Sequence, residues 1–149
     1  MVASANTNAW SGPLLKAWPR LMRIPPLVLD RVQADLKAAG HPPLEWYDVL
    51  LELDRELDGR LRPTTLAKRM LIARYNLTRL VDRLVNAGLV KREECQEDAR
   101  GAVIAITPDG RRLREAMWPV YADAVRRHLG EKLTADELDT LARLLGKLG

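Results

Sequence analysis

Phenylalanine is absent, and aromatic residues of every kind make up only 5% of the chain. Leu, Val, Ile and Ala must therefore fill any core, a supply that suits packed helices. The single cysteine, Cys95, rules out an intrachain disulfide and fits a reducing compartment, the cytoplasm. No stretch approaches the roughly 18 apolar residues of a membrane helix, so no membrane partner is expected. Met1 to Gly12 lacks the apolar centre of a signal peptide and reads as a flexible tail. Serine stands only at Ser4 and Ser11, and histidine only at His41 and His128. There is no glycine-rich phosphate loop, nucleophile motif or metal-ligand spacing. The sequence thus offers no catalytic residue, metal site or cofactor site, and an enzyme is not expected.

What is present is length enough for a core: 149 residues, 47% hydrophobic and 30% charged, the make-up of an ordinary globular domain. The net charge of +4 is modest but unevenly spread. Residues 1–59 carry 6 basic and 8 acidic side chains, residues 60–101 carry 10 and 5, and residues 102–149 carry 8 and 7. The middle third supplies the whole excess. A positive centre between near-neutral flanks is the footprint of polyanion binding, although a solvated basic face would give the same count.

Hydrophobic periodicity predicts a mostly helical order. Leu14, Leu15, Trp18, Leu21 and Met22, then Leu27, Val28, Val32 and Leu36, recur at helical spacing. Pro25 and Pro26 interrupt them, which predicts two helical pieces or one kinked helix over residues 13–39. A second helix is expected from Leu44 to about Leu57, with Trp46, Val49, Leu50, Leu53 and Leu57 on its apolar face. Pro63 to Met70 reads as a short helix with Leu66, Ala67 and Met70 inward. From Arg74 to Ala87 a single stripe of Leu77, Leu80, Val81, Leu84 and Val85 predicts a helix that Gly88 stops. Residues 89–93 and 102–106 read as strands around a polar hairpin loop, Cys95 to Gly101. Thr107-Pro108 opens a helix to about Leu129, which Pro119 should bend. Thr134 and Glu137 form the capping box of a last helix striped with Leu138, Leu141, Leu144, Leu145 and Leu148.

Short helix, turn, longer helix and hairpin over residues 63–107 is the order of a winged helix-turn-helix. Opposite its aliphatic stripe, the Arg74–Ala87 helix carries Tyr75, Thr78, Arg79, Asp82 and Asn86, flanked by Asn76 and Arg83. Arg79 can grip guanine with two hydrogen bonds, Asn76 can bond adenine, and Thr78 can bond a base or touch a thymine methyl. Arg74 and Arg83 suit phosphates. From the loop, Arg100 can enter a narrow A·T-rich minor groove. Asp98 can fix the loop or pair with a basic side chain of the helix. The plain alternatives are an amphipathic helix whose polar face is merely wet and a routine charged hairpin.

Over residues 44–110 the chain resembles the MarR family of bacterial transcription regulators. The resemblance lies in Leu66-Ala67, in Leu77-Thr78-Arg79-Leu80-Val81-Asp82-Arg83-Leu84, in Gly88-Leu89-Val90-Lys91-Arg92, in Asp98-x-Arg100 and in Ile106-Thr107-x-x-Gly110. It implies a mainly α fold with a small β-hairpin wing. The expected divisions are a tail over 1–12, an N-terminal dimerisation segment over 13–43, the DNA-binding domain over 44–110 and C-terminal dimerisation helices over 111–149. The resemblance also implies a homodimeric repressor of double-stranded DNA that answers to a small, often aromatic, effector. Trp18, His41, Trp46 and Tyr47 are the candidate lining of an effector pocket, with core packing the alternative for each and the favoured one for Trp46. Trp118 and Tyr121 are expected in core or dimer contacts, and Cys95 as an idle thiol rather than a redox sensor. Three positions depart from the family pattern: Leu71 stands for a turn glycine, Ala73 for a capping serine, and Arg62 for the Thr or Ser before Pro63. The competing function is a winged-helix protein–protein interaction module without specific DNA binding.

Overall fold

The computed structural model describes residues 12–71, 77–94 and 101–149. Its elements are α1 (Pro13–Ala38), α2 (Leu44–Asp54), β1 (Arg60–Leu61), α3 (Pro63–Arg69), α4 (Leu77–Asn86), β2 (Val90–Glu94), β3 (Ala102–Ile106), α5 (Pro108–His128), a 3-10 turn (Gly130–Lys132) and α6 (Ala135–Leu145). The three strands form one antiparallel sheet in the order β1-β3-β2.

Two apolar cores hold these elements, and α2 belongs to both. Val49, Leu50 and Leu53 of α2 pack with Leu66 of α3, with Leu80, Val81 and Leu84 of α4, and with Val90, Ile104 and Ile106 of the sheet. Leu44 and Tyr47, on the other side of α2, pack with Val32 and Leu36 of α1 and with Met117 and Ala124 of α5. The first core makes the winged unit, and the second fixes it to a shaft of α1 and α5. Each fully buried Leu or Val contributes about 1.5–3 kcal/mol relative to exposure.

The junction between wing and shaft explains the Thr107-x-x-Gly110 motif. Thr107 Oγ1 accepts from the Gly110 amide at 3.1 Å, capping α5, and donates to the Gly88 carbonyl at 2.7 Å. The start of α5 thereby presses on the end of α4. A Cβ on Gly110 would lie 2.2 Å from the Leu89 carbonyl oxygen and 2.8 Å from Ile106 Cγ1, so no side chain fits. Gly88, at φ 75°, makes the left-handed stop of α4.

Several expectations are corrected. Of the two alternatives for residues 13–39, α1 is one helix, running through Pro19, Pro25 and Pro26; packing of Val32 and Leu36 against α5 outweighs the local proline penalty in its second half. α2 ends at Asp54, and Leu57 is fully exposed. The chain there tightens, with Glu56 N bonding Leu53 O and Gly59 N bonding Glu56 O, and then turns into the unanticipated strand β1. Ala67 faces solvent, leaving Leu66 and Met70 to bury α3. The strand expected over 89–93 runs one residue later, because Leu89 N closes the end of α4 on Leu84 O. The capping box of α6 forms, with Thr134 Oγ1 accepting from Glu137 N and Glu137 Oε1 accepting from Thr134 N. Among the described residues no helix is long and apolar enough to cross a membrane.

Candidate nucleic-acid interface

The apolar stripe of α4 decides which side of this helix faces out. Leu80, Val81 and Leu84 are buried and Leu77 and Val85 pack against them. A helix that buries one stripe must present the other, and Thr78, Arg79, Asp82, Arg83 and Asn86 are all exposed. Three of the predicted contact residues, Thr78, Arg79 and Arg83, therefore share one exposed helix. Arg74, Tyr75, Asn76, Asp98 and Arg100 lie outside the described residues, as do Ala73 and Cys95.

Ion pairing sorts the basic residues of the middle third into two groups. Arg92 on β2 reaches back to α4, donating to Asp82 Oδ1 at 2.6 Å and to the Thr78 carbonyl at 3.4 Å. The wing strand is thus tied to the exposed helix by Arg92, the last residue of the Gly88–Arg92 motif. Arg69 of α3 pairs with Glu56 after α2, and Arg60 and Lys91 both pair with Glu93. Arg83 lies 3.9 Å from Glu45 of α2, a loose contact. In contrast, Arg79 on α4 and Lys68 on α3 are exposed and have no ion-pair partner among the described residues. Unpaired cations carry the field that a polyanion feels; paired ones are largely cancelled at that range. Lys68 was missed by motif reading, although it was counted in the basic excess of residues 60–101.

Arg62 shows what one of the sequence departures does. It occupies the N-cap of α3 with extended backbone (φ −71°, ψ 145°) and makes no side-chain capping bond. Pro63 alone pre-sets the first turn. Leu71, in place of a turn glycine, is exposed.

The four candidate pocket residues are not brought together. Trp18 lines an apolar cavity of about 580 Å³ between α1 and α6, with Leu14, Leu21, Leu141, Leu145 and Leu148 among its neighbours. His41 lies in a separate groove of about 560 Å³ beside Asp30, Lys37 and Pro42. Trp46 packs against the winged core. Tyr47 is buried against α5, 5.1 Å from Tyr121 edge to face and 6.3 Å from Trp118 in a stack. Burial pushes the Tyr47 phenol up, against the pull of the Arg114 guanidinium. The resemblance points to the region around α1, α2 and their connector without fixing the direction in which each side chain points. Trp118 is half exposed while Tyr121 packs on the shaft core.

The first half of α1 and the neighbouring end of α6 leave apolar surface uncovered. Leu14, Leu15, Trp18, Leu21, Met22, Ile24 and Leu27 of α1 are exposed, and so are Leu144, Leu145 and Leu148 at the end of the chain. α6 buries none of its residues. Contiguous apolar surface of this kind marks an interaction face.

Comparison with known proteins agrees with this architecture. The MarR family model matches residues 40–101. The multiple antibiotic resistance protein MarR of Salmonella typhimurium is 34% identical over 90 residues, which are 60% of this chain and 62% of the relative. The chain spans about three fifths of the length of the curated relatives it matches first. Among solved structures, AbsC, a MarR family transcriptional regulator from Streptomyces coelicolor, is similar with a TM-score of 0.83 and 26% identity, covering 93% of each chain. A second MarR family transcriptional regulator from that organism, solved in complex with DNA, gives a TM-score of 0.82 at 29% identity over 90% of this chain and 84% of the other. With the winged unit, the helical shaft and the Leu77–Leu84 and Ile106–Gly110 motifs in their structural places, the chain is similar in sequence over residues 40–101, and in fold over nearly its whole length, to MarR family transcriptional regulators.

Proposed function

We propose that this chain is a transcription regulator that binds double-stranded DNA by sequence, as a homodimer on a pseudo-palindromic operator in the cytoplasm, and that it is a ligand-responsive repressor. The observation that carries the reading is the exposed face of α4, where Arg79 stands unpaired among the described residues on a helix anchored by an aliphatic stripe. In this reading α4 enters the major groove. Arg79, Asn76 and Thr78 meet base edges, Arg74, Tyr75 and Arg83 meet the backbone, and the Asp98–Arg100 wing meets the minor groove. The bare apolar surfaces of α1 and α6 support the dimer, which would set two α4 helices about 34 Å apart, one turn of duplex. A small aromatic effector belongs to this reading, and its support is the apolar cavity of about 580 Å³ that Trp18 lines between α1 and α6.

Selection of bound fragments from genomic DNA, followed by mobility shift at graded salt, tests the reading. Specific retention that weakens steeply with salt is the expected result. If no duplex is retained specifically even at low salt, the chain is a protein-interaction module instead.

A further inference from the structure

The sheet of the wing carries an ionic cluster outside the DNA contacts proposed above. β1 pairs only with β3, in a ladder of two residues, Arg60 with Ala105 and Leu61 with Ile104. On its other side Ala105 pairs with Lys91 of β2. Directly paired residues project from the same face, so Arg60, Ala105 and Lys91 form a row across the sheet. Glu93 stands two residues along from Lys91, again on that face. Ala105 is the short member of the row, between two long side chains, and it is only 2% exposed.

The cluster has a definite geometry. Arg60 Nε donates to Glu93 Oε2 at 2.7 Å, and Lys91 Nζ lies 2.9 Å from Glu93 Oε1. Arg60 Nη1 donates to the Asp58 carbonyl at 2.9 Å, which fixes its guanidinium from the other side. One carboxylate thus holds a cation from each outer strand, one oxygen apiece. The outer strands of a three-stranded sheet are about 10 Å apart, too far for any backbone hydrogen bond between β1 and β2. The Arg60–Glu93 contact is therefore a direct tie across the central strand.

We propose that Glu93 is a positioning residue for the wing. By clasping Arg60 and Lys91 across Ala105, it sets the pitch of the β2–β3 hairpin against β1 and hence the angle at which the wing meets the duplex. This inference rests on the DNA-binding reading above. A two-stranded ribbon twists more freely than a wider sheet, and a third strand of two residues adds little stiffness through its backbone alone. A tie from β1 to the far strand restrains that twist. Hydrogen bonds from Arg60 and Lys91 hold the Glu93 carboxyl at about 2, so the clasp stays charged at neutral pH.

The test compares full-length wild type, Glu93→Gln and the double exchange Arg60→Glu with Glu93→Arg. Binding is measured on two duplexes that share the selected half-sites and differ only in A·T-rich or G·C-rich flanks. We expect wild type to favour A·T-rich flanks. Glu93→Gln should lose about two- to fivefold on that duplex, the scale of an exposed ion pair, with little change on the other. The exchange, which rebuilds the Arg60–Glu93 tie with its charges swapped, should recover most of the preference. Amide exchange across 102–106 should quicken in Glu93→Gln and slow again in the exchange. Equal loss on both duplexes, no loss at all, or an exchange that recovers nothing overturns the proposal. A wild type that binds both duplexes without preference also overturns it while leaving the DNA reading intact; a wild type that binds neither removes the DNA reading itself.

Discussion

Leu80, Val81 and Leu84 of α4 are at most 4% exposed, whereas Leu144, Leu145 and Leu148 at the end of the chain are 45% exposed or more. Both sets recur at helical spacing, and both are aliphatic. The difference is where the covering surface comes from. α4 finds α2, α3 and the sheet within its own chain. The first half of α1 and all of α6 find a cavity of about 580 Å³ between them and solvent beyond. An amphipathic stripe therefore says that a face will be covered, and leaves open whether the cover is internal or a second molecule.

Substitutions on the two kinds of stripe should separate them. The largest effect is expected from Leu84→Ala, in the fully buried winged core: a loss of about 2–5 kcal/mol of folding stability, read from denaturant unfolding. A loss well below that would mean that α4 is packed no better than α6. Next comes Leu145→Asp, which should leave the winged core folded but weaken self-association about 30-fold or more, read by sedimentation across a dilution series. Unaltered association would move the dimer face elsewhere.

Arg79→Ala touches neither stripe. It should cost about 1–3 kcal/mol of DNA binding and relax sequence preference, with folding stability unchanged. Equal weakening on all duplexes would demote Arg79 to a phosphate contact. The smallest effect belongs to the capping box of α6. Thr134→Ala should cost about 1 kcal/mol, visible as faster amide exchange in the first turn of α6. The Glu137 carboxyl is held below its ordinary value, first by the Thr134 backbone amide and then by its hydroxyl. Its capping contribution is therefore complete above pH 4.5 and fades as the pH falls through the lowered value. Protection of α6 that ignores this acid range would remove Glu137 from the cap.

The parts of the fold written in local signals were legible. The α4 stripe, the β-branched run of β3, the Thr107 cap and the Thr134–Glu137 box each need only a few neighbouring residues. What failed depended on distant partners. β1 is two residues long and exists because it pairs with residues more than forty positions away. Leu57 fits the α2 period but follows the point where the chain turns to reach that pairing. The exposed Thr78, Arg79 and Arg83 followed directly from the period of α4. The assignment of Arg92 as the link from wing to helix required knowing that β2 folds back alongside Asp82. Trp18 on α1, His41 in the connector and Trp46 and Tyr47 on α2 lie close in sequence yet point into four different environments.

The three prolines inside α1 have a further consequence. Pro19, Pro25 and Pro26 cannot donate to the carbonyls of Leu15, Leu21 and Met22, four residues back. In an isolated helix each costs about 3 kcal/mol or more, and the exposed first half of α1 has little packing within its own chain to offset that. Its helical state then draws on whatever covers its apolar face. With a second copy as that cover, folding of α1 and assembly of the dimer become a single equilibrium, and protein concentration becomes a variable of the fold. Dilution would unwind the shaft before it disturbed the winged unit. If the chain binds DNA as proposed, the amount of it a cell makes would then govern both how many sites are filled and how much of each chain is structured.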